Sequence, residues 1–238
     1  MRFQILAFCT VVLIVCGCSS ASSPNDTGGW IHSLAGSILY ENGQPAKNAT
    51  VSLGDNVVTT DSNGTYFFKK VNLSAERVTI RAAADGYFST EKVVSKINKV
   101  QNIDLILYSR KLIGSFSATV GGEATDIDGT KCSLSPNSVS RLDGSDYSGT
   151  VYVYAKTQKI NQSEFAFAFP GDMEAQSATG SNVGLKTLGF SNFELEGNSS
   201  QKLQVKSGMK AKITMPFSSQ EVINPPSEIL LWLYRYHQ

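Results

Sequence analysis

Residues 60–68 read Thr60-Asp61-Ser62-Asn63-Gly64-Thr65-Tyr66-Phe67-Phe68. An aspartate side chain can accept hydrogen bonds from the amides that follow it, and glycine permits the positive φ of a tight turn. Beyond the turn, Tyr66 and Phe68 share one face of a strand, because side chains alternate between the two faces of a sheet. Asp55, Asp61 and Asn63 could instead form a calcium loop, but the D-x-[DN]-x-[DN]-G pattern with a distal glutamate is missing. The stretch therefore predicts a turn that opens a half-buried strand.

Short runs typical of strands lie on both sides of this turn. They alternate apolar and polar residues, and turn signals such as Asn42-Gly43 separate them. Alternation indicates strands with one buried face, and six or seven such runs favour an antiparallel β-sandwich. The predicted strands are 36–40, 49–53, 57–60, 65–68, 77–81 and 101–108. No long amphipathic helix is predicted, so we expect an all-β fold.

Several motifs in this region resemble the carboxypeptidase regulatory-like (transthyretin-like) β-sandwich family. They are Gly36-x-Ile38, Asn42-Gly43-Gln44-Pro45, Ala49-Thr50-Val51-Ser52-Leu53, residues 60–68 and Ala84-Asp85-Gly86-Tyr87. In metallocarboxypeptidases this module accompanies a separate catalytic domain, and none follows in this sequence. The resemblance therefore implies a spacer or interaction module of the kind found on bacterial surface proteins. The same fold resembles sandwiches that bind starch-like glycans, so it also implies a carbohydrate-binding-like architecture.

A second set of strand-like runs follows Arg110. These runs are 113–120, 148–154, 164–169, 190–195, 202–205, 210–215 and 229–234, and they predict a second β-sandwich in tandem with the first. Their arrangement resembles the region that follows the carboxypeptidase regulatory-like module in cartilage intermediate layer protein and similar extracellular proteins. Those relatives are matrix or surface proteins without an established catalytic role. The motifs are Gly149-Thr150-Val151, Pro170-Gly171-Asp172-Met173, Leu188-Gly189-Phe190 and Ser207-Gly208-Met209-Lys210-Ala211. The run 229–234 either pairs inside this sandwich or presents an apolar edge.

The N-terminus reads as a processing signal. One basic residue, Arg2, precedes an apolar run of about eleven residues, which is the length of the apolar core of a secretory leader and too short to cross a membrane. The run ends at Val15-Cys16-Gly17-Cys18, which resembles the lipobox of bacterial lipoproteins. The resemblance implies cleavage after Gly17 and lipidation of Cys18; an ordinary signal peptide is the alternative. Ser19, rather than aspartate, favours the outer membrane, facing the periplasm or the cell surface.

Charge and cysteine content exclude several classes of protein. The 238 residues include 21 Lys and Arg against 20 Asp and Glu, and losing Arg2 with the leader leaves 20 of each. That balance predicts no nucleic-acid partner, since such proteins carry a basic patch. Of four cysteines, Cys9 and Cys16 leave with the leader and Cys18 would be acylated, so no internal disulfide is expected. Cys132 is predicted to be a packed core residue.

The sequence offers little support for catalysis, and we predict no enzyme and no cofactor. The two histidines, His32 and His237, lie in the tether and near the C-terminus, where an imidazole would lack rigid support. Two carboxylate pairs, Asp126 with Asp128 and Asp143 with Asp146, could serve glycoside hydrolysis if they lined a cleft. Each pair is followed or split by glycine, which favours hairpins instead. Asp126 and Asp128 are also weak candidates for calcium.

The tyrosines Tyr147, Tyr152 and Tyr154 are the best candidates for a ligand platform, because sugar-binding sandwiches stack glycan rings on exposed aromatic side chains. Packing of this face into the core is the alternative. The sequence thus predicts a leader (1–17), a tether (18–32), a carboxypeptidase regulatory-like sandwich (33–109) and a second β-rich domain (110–238). We expect a non-catalytic envelope protein, held at the membrane by its lipid, that binds or scaffolds. Glycan binding in uptake or adhesion is the first alternative and a carboxylate-dependent hydrolase the second; another envelope protein could also be the partner.

Overall fold

The computed structural model describes residues 4–6, 30–73, 77–95, 101–160, 174–177, 179–184 and 187–216. The strands in chain order are β1 Gln4–Leu6, β2 Trp30–Tyr40, β3 Thr50–Leu53, β4 Asn56–Thr59, β5 Thr65–Leu73, β6 Arg77–Ala83, β7 Thr90–Ser95, β8 Gln101–Asn102, β9 Leu105–Leu107, β10 Leu112–Ser117, β11 Gly122–Thr125, β12 Lys131–Leu134, β13 Val139–Arg141, β14 Thr150–Lys159, β15 Glu174–Gln176, β16 Asn182–Gly184, β17 Gly189–Glu196, β18 Lys202–Val205 and β19 Ala211–Thr214. A single 3₁₀ turn, Asn198–Ser200, follows β17 in this part of the chain. The prediction of an all-β sandwich fold is confirmed.

The chain divides into two compact units, and the division falls between Ser109 and Arg110. The first unit holds β2 to β9, and the second holds β1, β10 to β14 and β17 to β19. The β15–β16 hairpin groups with the first unit. Strand β2 begins at Trp30, two residues before the predicted end of the tether, so Trp30, Ile31 and His32 belong to a strand and not to the tether.

Two sheets face each other in the first unit. One runs β4-β3-β6-β7, and in the other β2 pairs with β5 on one side and with β8 and β9 on the other. The buried core between them includes Leu34, Ile38, Val51, Phe68 and Leu105. The pairing of β2 with β8 and β9 is parallel, whereas a purely antiparallel sandwich was expected. The difference arises because the chain returns to β8 from β7, which lies in the other sheet, instead of from a hairpin with β2.

The turn at residues 60–68 has the predicted chemistry. The Asp61 carboxylate oxygen Oδ1 accepts hydrogen bonds from the amides of Asn63 at 2.9 Å and Thr65 at 2.8 Å. Gly64 has φ of +74°, and a Cβ at this position would collide with the carbonyl oxygen of Ile38. Tyr66 and Phe68 then enter the core on one face of β5, as predicted. The Asp61 side chain therefore closes a turn, which is the interpretation that the sequence favoured over a calcium loop.

The second unit is also a pair of sheets around its own core. A five-stranded sheet runs β10-β14-β17-β18-β13, and a second sheet runs β1-β19-β12-β11. Val151, Val153 and Leu195 contribute to the core from the first sheet, and Cys132 and Leu134 from the second. The prediction that Cys132 is a packed residue is confirmed. Burial disfavours the thiolate and raises the pKa of Cys132 to about 12.

Several predicted elements change in the structure. Strands β7, β11, β12 and β13 were not predicted, because they are short and carry charged or small residues. Strand β10 ends at Ser117 and not at residue 120, since the chain turns where the Gly121 amide donates to the Ser117 carbonyl. The predicted strands 164–169 and 229–234 and the lipidation site Cys18 lie outside the described residues. Within the described ranges, no helix is long and apolar enough to cross a membrane.

Candidate functional site

Strand β14 places Tyr152 and Tyr154 on the outer face of the five-stranded sheet. Val151 and Val153 alternate with them and are fully buried, whereas both tyrosines are half-buried. Strand β17 pairs with β14 so that Glu196 lies opposite Tyr152 and Glu194 opposite Tyr154. We call this surface the tyrosine face; it consists of Tyr152, Tyr154, Arg110, Glu194, Glu196 and Lys202. The alternation of the sequence thus predicts which tyrosines share a face, while the carboxylates come from another strand.

Tyr147 does not belong to the tyrosine face, which corrects its inclusion in the predicted platform. It is only 7% exposed and packs in the core of the second unit. Its hydroxyl donates to the carbonyl of Thr150 and accepts from the amide of Asn198, both at 2.9 Å. Gly149 and Gly197 leave room for the ring, because a Cβ on either glycine would collide with it. Tyr147 therefore fastens the loop before β14 to the end of β17 and has no surface for a ligand.

Arg110 organises the centre of the tyrosine face. Its guanidinium carbon lies 3.9 Å from the centroid of the Tyr154 ring, and its Nε lies 2.8 Å from a carboxylate oxygen of Glu194. A second guanidinium nitrogen forms an ion pair with Glu196, and Lys202 binds Glu194 at 2.7 Å. A cation at this distance from an aromatic ring is attracted by the negative charge above the ring. Arg110 therefore covers the surface of the Tyr154 ring that a stacked ligand would need. Among the described contacts, no cation covers the ring of Tyr152.

Glu196 is the most buried charged group of this face, at 5% exposure. Burial raises the pKa of its carboxyl, but the hydrogen bonds from Arg110 and Ser200 and the charges of Arg110 and Lys202 outweigh burial and lower the pKa below its usual range. The Glu196 carboxylate is thus ionised and paired at neutral pH. Its neighbour Glu194 forms ion pairs with Arg110 and Lys202. A paired carboxylate of this kind holds neighbouring side chains in place and is poorly suited to act as a general acid.

The other predicted carboxylates serve turns and ion pairs. Asp126 accepts a hydrogen bond from the Lys111 ammonium group at 2.7 Å and from the Ile127 amide at 2.7 Å. Burial raises the pKa of Asp126, but these two hydrogen bonds and the charge of Lys111 outweigh it, so the pKa is lowered. A lysine ammonium thus occupies the place where the weak calcium candidates Asp126 and Asp128 would need a cation. No group of three metal-ligating side chains exists among the residues with a described position.

The two carboxylates of the second pair, Asp143 and Asp146, have different roles. Asp143 accepts hydrogen bonds from the amide of Ser145 at 2.8 Å and from its hydroxyl at 2.6 Å, so it closes a turn after β13. Asp146 is largely exposed and pairs with Lys206 at 2.5 Å. These contacts explain Asp143 as part of a turn and Asp146 as part of a surface ion pair, and they place no catalytic pair in a cleft.

Some candidate residues were not singled out from the sequence. Arg110, Glu194 and Glu196 come together only through strand pairing, although Glu194 and Glu196 alternate with the core residues Phe193 and Leu195 in a recognisable period of two. In the first unit, Tyr40 and Tyr87 stack with ring centroids 4.4 Å apart at 23° and remain partly buried. Their pairing could not be seen in the sequence, because 46 residues separate them.

One segment of the chain matches the model of a known protein family. Residues 32–113, about a third of the sequence, match DUF3869, a domain of unknown function. A search of curated proteins gives no match. The matched segment corresponds closely to the first unit, in which the sequence motifs resemble the carboxypeptidase regulatory-like module; that finer resemblance, like the resemblance of the second half, stays a prediction.

Three of the solved structures that match part of this chain come from bacteria. One is a protein of unknown function from Bacteroides fragilis NCTC 9343 whose name proposes a membrane association (12% identity, 79% of this chain and 99% of that chain, TM-score 0.27). Another is the Bacillus anthracis TIE protein (13% identity, 76% of this chain and 30% of that chain, TM-score 0.28). A third is a streptococcal ancillary pilin (13% identity, 82% of this chain and 61% of that chain, TM-score 0.27). At these TM-scores the likeness carries no argument about function.

Proposed function

We propose that this protein is a non-catalytic, lipid-anchored protein of the bacterial cell envelope that acts as a binding or scaffold module. The observation that carries the proposal is the leader that ends at Gly17-Cys18, with only residues 19–29 between that cysteine and the first strand of a folded unit. A lipid on Cys18 would hold two β units beside the membrane. Several acyl chains, at about 0.8 kcal/mol per buried methylene, give a stable anchor.

The chemistry of the described side chains supports a binding role over catalysis. Three of the carboxylates that the sequence suggested as catalytic candidates, Asp126, Asp143 and Asp146, are engaged in a turn or with lysine. Cys132, the cysteine left free in the mature chain, is buried and its pKa is raised. An activated nucleophile needs the opposite environment, in which a base or a positive charge favours the ionised form.

The anchor is tested by expressing the full chain with a palmitate analogue that can be tagged. We expect label on the wild type and on the control variant Cys16→Ala, whose substitution lies in the same motif but leaves Cys18 intact. Cys18→Ala should carry no label and should keep its leader, which adds residues 1–17 to its mass. Label on Cys18→Ala would overturn the assignment of the lipid to this residue. Separation of inner and outer membranes then tests the outer-membrane location that Ser19 favours.

Carbohydrate binding is the second candidate, and the partly buried ring of Tyr152 favours it. The ring lies on the outer face of a sheet and offers an apolar surface on which a sugar can stack. Tyr154 is a poorer platform, because a sugar would have to displace Arg110 from its ring.

Affinity electrophoresis through gels that contain different polysaccharides tests this candidate on residues 19–238. We expect one class of glycan to retard the wild type and the control Tyr87→Ala, whose tyrosine lies in the other unit. Tyr152→Ala should migrate as it does without glycan. Equal retardation of Tyr152→Ala would place the glycan elsewhere, and unretarded migration of the wild type in every gel would leave a protein partner in the envelope, to be sought by crosslinking on intact cells.

A further inference from the structure

Several edge strands of the two units are guarded against pairing with another chain. Strand β5 has a bulge in its pairing with β2, and Lys70 at this bulge has φ of +51°. Strand β7 is joined to β9 of the facing sheet, because the Thr90 hydroxyl donates to the carbonyl of Ile106 at 2.7 Å. Strand β13 is covered by the loop that follows it, where the Arg141 amide donates to the Ser145 carbonyl at 2.8 Å. Lysines, bulges and covering loops of this kind prevent a sheet edge from recruiting another strand.

Strand β4 (Asn56–Thr59) is an edge without such a guard in the part of the chain that the structure describes. It pairs with β3 on one side, and no described strand pairs with its other side. The residues from Asn56 to Thr60 include neither a charged residue nor a proline. The Val57 side chain is 61% exposed, and Thr59 is exposed as well. Strand β4 therefore presents an uncharged edge of β-branched residues, a composition that favours strand pairing.

The register of β3 and β4 shows which backbone groups lie on the open side. The Thr60 amide donates to the Ala49 carbonyl at 2.9 Å, in line with the pairing of the two strands. Hydrogen-bonded and non-hydrogen-bonded residue pairs alternate along an antiparallel ladder, so the amide and carbonyl of Val58 point towards β3. The amides and carbonyls of Val57 and Thr59 therefore point towards the open side.

We propose that β4 is a self-association site at which two copies of the chain join their sheets. In an antiparallel pair about a twofold axis at Val58, Val57 of each copy lies opposite Thr59 of the other. Each of these two residue pairs exchanges two backbone hydrogen bonds, which gives four in all. The two four-stranded sheets β4-β3-β6-β7 then become one sheet of eight strands. A second copy fits this edge because β4 itself is the uncharged, β-branched strand that the edge requires.

The pairing should depend on confinement to the membrane. Four residues on each side bury much less than the roughly 1,200 Å² of a stable interface between proteins in dilute solution. Two copies anchored in one membrane meet at a far higher effective concentration. Confinement of this kind belongs to the proposed function, on which this part of the inference rests, and self-association would be the way in which the protein acts as a scaffold.

Charge opposes the pairing at its two ends. In the register centred on Val58, Asp55 of one copy falls opposite Asp61 of the other, just beyond the paired residues. Like charges that face each other across two strands destabilise the pair. We therefore expect Asp55→Asn, a change in an exposed turn, to increase self-association about two- to tenfold. An unchanged or lower level of self-association in Asp55→Asn would contradict this register.

Disulfide trapping in membranes from cells that express the full chain tests the site. Val58→Cys should form a disulfide between two copies, because the Cβ atoms of a facing, non-hydrogen-bonded pair lie about 4.5 Å apart. Val120→Cys is the matched control, since Val120 is 71% exposed in the second unit and reports chance collisions. Both are made in a Cys132→Ala background. After mild oxidation we expect at least about tenfold more dimer from Val58→Cys than from Val120→Cys, and equal amounts would overturn the proposal.

A lysine at the edge separates strand pairing from other modes of association. Thr59→Lys, added to Val58→Cys, places a charge at an exposed position of the edge and should reduce the dimer to the level of the Val120→Cys control. Val120→Lys, added to Val58→Cys, should leave the dimer unchanged. A dimer that persists in Thr59→Lys would contradict pairing through β4. A disulfide between Val58→Cys and a different protein would also overturn self-association, because another chain would then occupy the edge.

The lipid anchor is judged by a separate variant. Cys9 and Cys16 leave with the leader, so the Cys132→Ala background without an introduced cysteine forms no disulfide dimer if Cys18 is acylated. A dimer of this background would contradict the lipid on Cys18 and not the pairing. The pairing is then decided on the purified chain that also carries Cys18→Ala, at about 1 mM, the effective concentration that a short tether supplies. Val58→Cys must again exceed Val120→Cys about tenfold, and equal amounts would overturn the proposal.

Discussion

Replacing Asp61 by alanine removes the acceptor of two backbone amides in the turn that opens β5. The two hydrogen bonds measure 2.9 and 2.8 Å. Each such bond contributes about 0.5–1.5 kcal/mol net, and water can partly replace them because the turn is exposed. We therefore expect the free energy of unfolding of the first unit to fall by about 1–2 kcal/mol, comparable with the loss of a helix cap. Asp61→Asn keeps an oxygen that can accept hydrogen bonds from both amides, so the free energy of unfolding should fall by less than about 0.5 kcal/mol.

Differential scanning calorimetry of residues 19–238 measures this effect. For a unit of this size, the loss in Asp61→Ala corresponds to a melting temperature lower by about 5–10 °C. Asp143→Ala is the matched control, since Asp143 closes a similar turn in the second unit through Ser145. It should shift the transition of the second unit and leave that of the first. The turn role of Asp61 is contradicted if Asp61→Asn destabilises as much as Asp61→Ala and millimolar calcium raises the melting temperature of the wild type. Both results together would indicate a calcium loop.

The remaining predictions concern the second unit. Arg110→Ala should lower its stability by about 3 kcal/mol, because Glu196 stays buried without its partner, whereas Lys202→Ala on the exposed rim of the same network should change it by less than about 0.5 kcal/mol. Folding lowers the pKa of Glu196 below 4.5, its value in the unfolded chain, so ionised Glu196 stabilises the folded state above about pH 4.5 and this stabilisation is lost as the pH falls. The melting temperature measured between pH 7 and pH 3 should therefore depend less on pH in Arg110→Ala than in the wild type. Tyr147→Phe should lower the free energy of urea unfolding by about 1–3 kcal/mol, because two hydrogen-bond partners lose the hydroxyl; an unchanged midpoint would contradict its assigned role. Cys132 should resist a thiol reagent at pH 8 in the folded chain and react after denaturation, and its contribution to stability should fall as the pH rises from about 9 towards 12, because only the unfolded thiol ionises in that range.

Local chemistry explains which parts of the fold could be predicted. The Asp61 turn follows from an aspartate and a glycine at fixed spacing, and the core positions of β5 and β14 follow from alternation. Strand β7 escaped prediction because Glu91 looks like a surface residue. It is nevertheless buried, and its partner Arg81 lies across the strand pair at 3.7 Å. Such a partner, ten residues away along the chain, is not visible in a short window of sequence.

The tyrosine face was predictable only in part. Alternation along β14 assigns Tyr152 and Tyr154 to one side, opposite Val151 and Val153. It cannot show that Arg110 reaches the ring of Tyr154, since that contact depends on how distant strands pair. Proximity in sequence also suggested that Tyr147 joins this face. The turn before β14 directs it into the core instead, where its hydroxyl has two backbone partners.

The most direct test of a lipid-anchored protein is the mass of its first tryptic peptide after expression of the full chain. The first basic residue beyond Cys18 is Lys47, so the mature protein should yield residues 18–47, heavier than the unmodified peptide by a diacylglycerol and an amide-linked acyl chain. We expect this peptide in the wild type and its loss in Cys18→Ala. An unmodified peptide, or one that covers residues 3–47 because the leader is retained, would contradict a lipid anchor at Cys18.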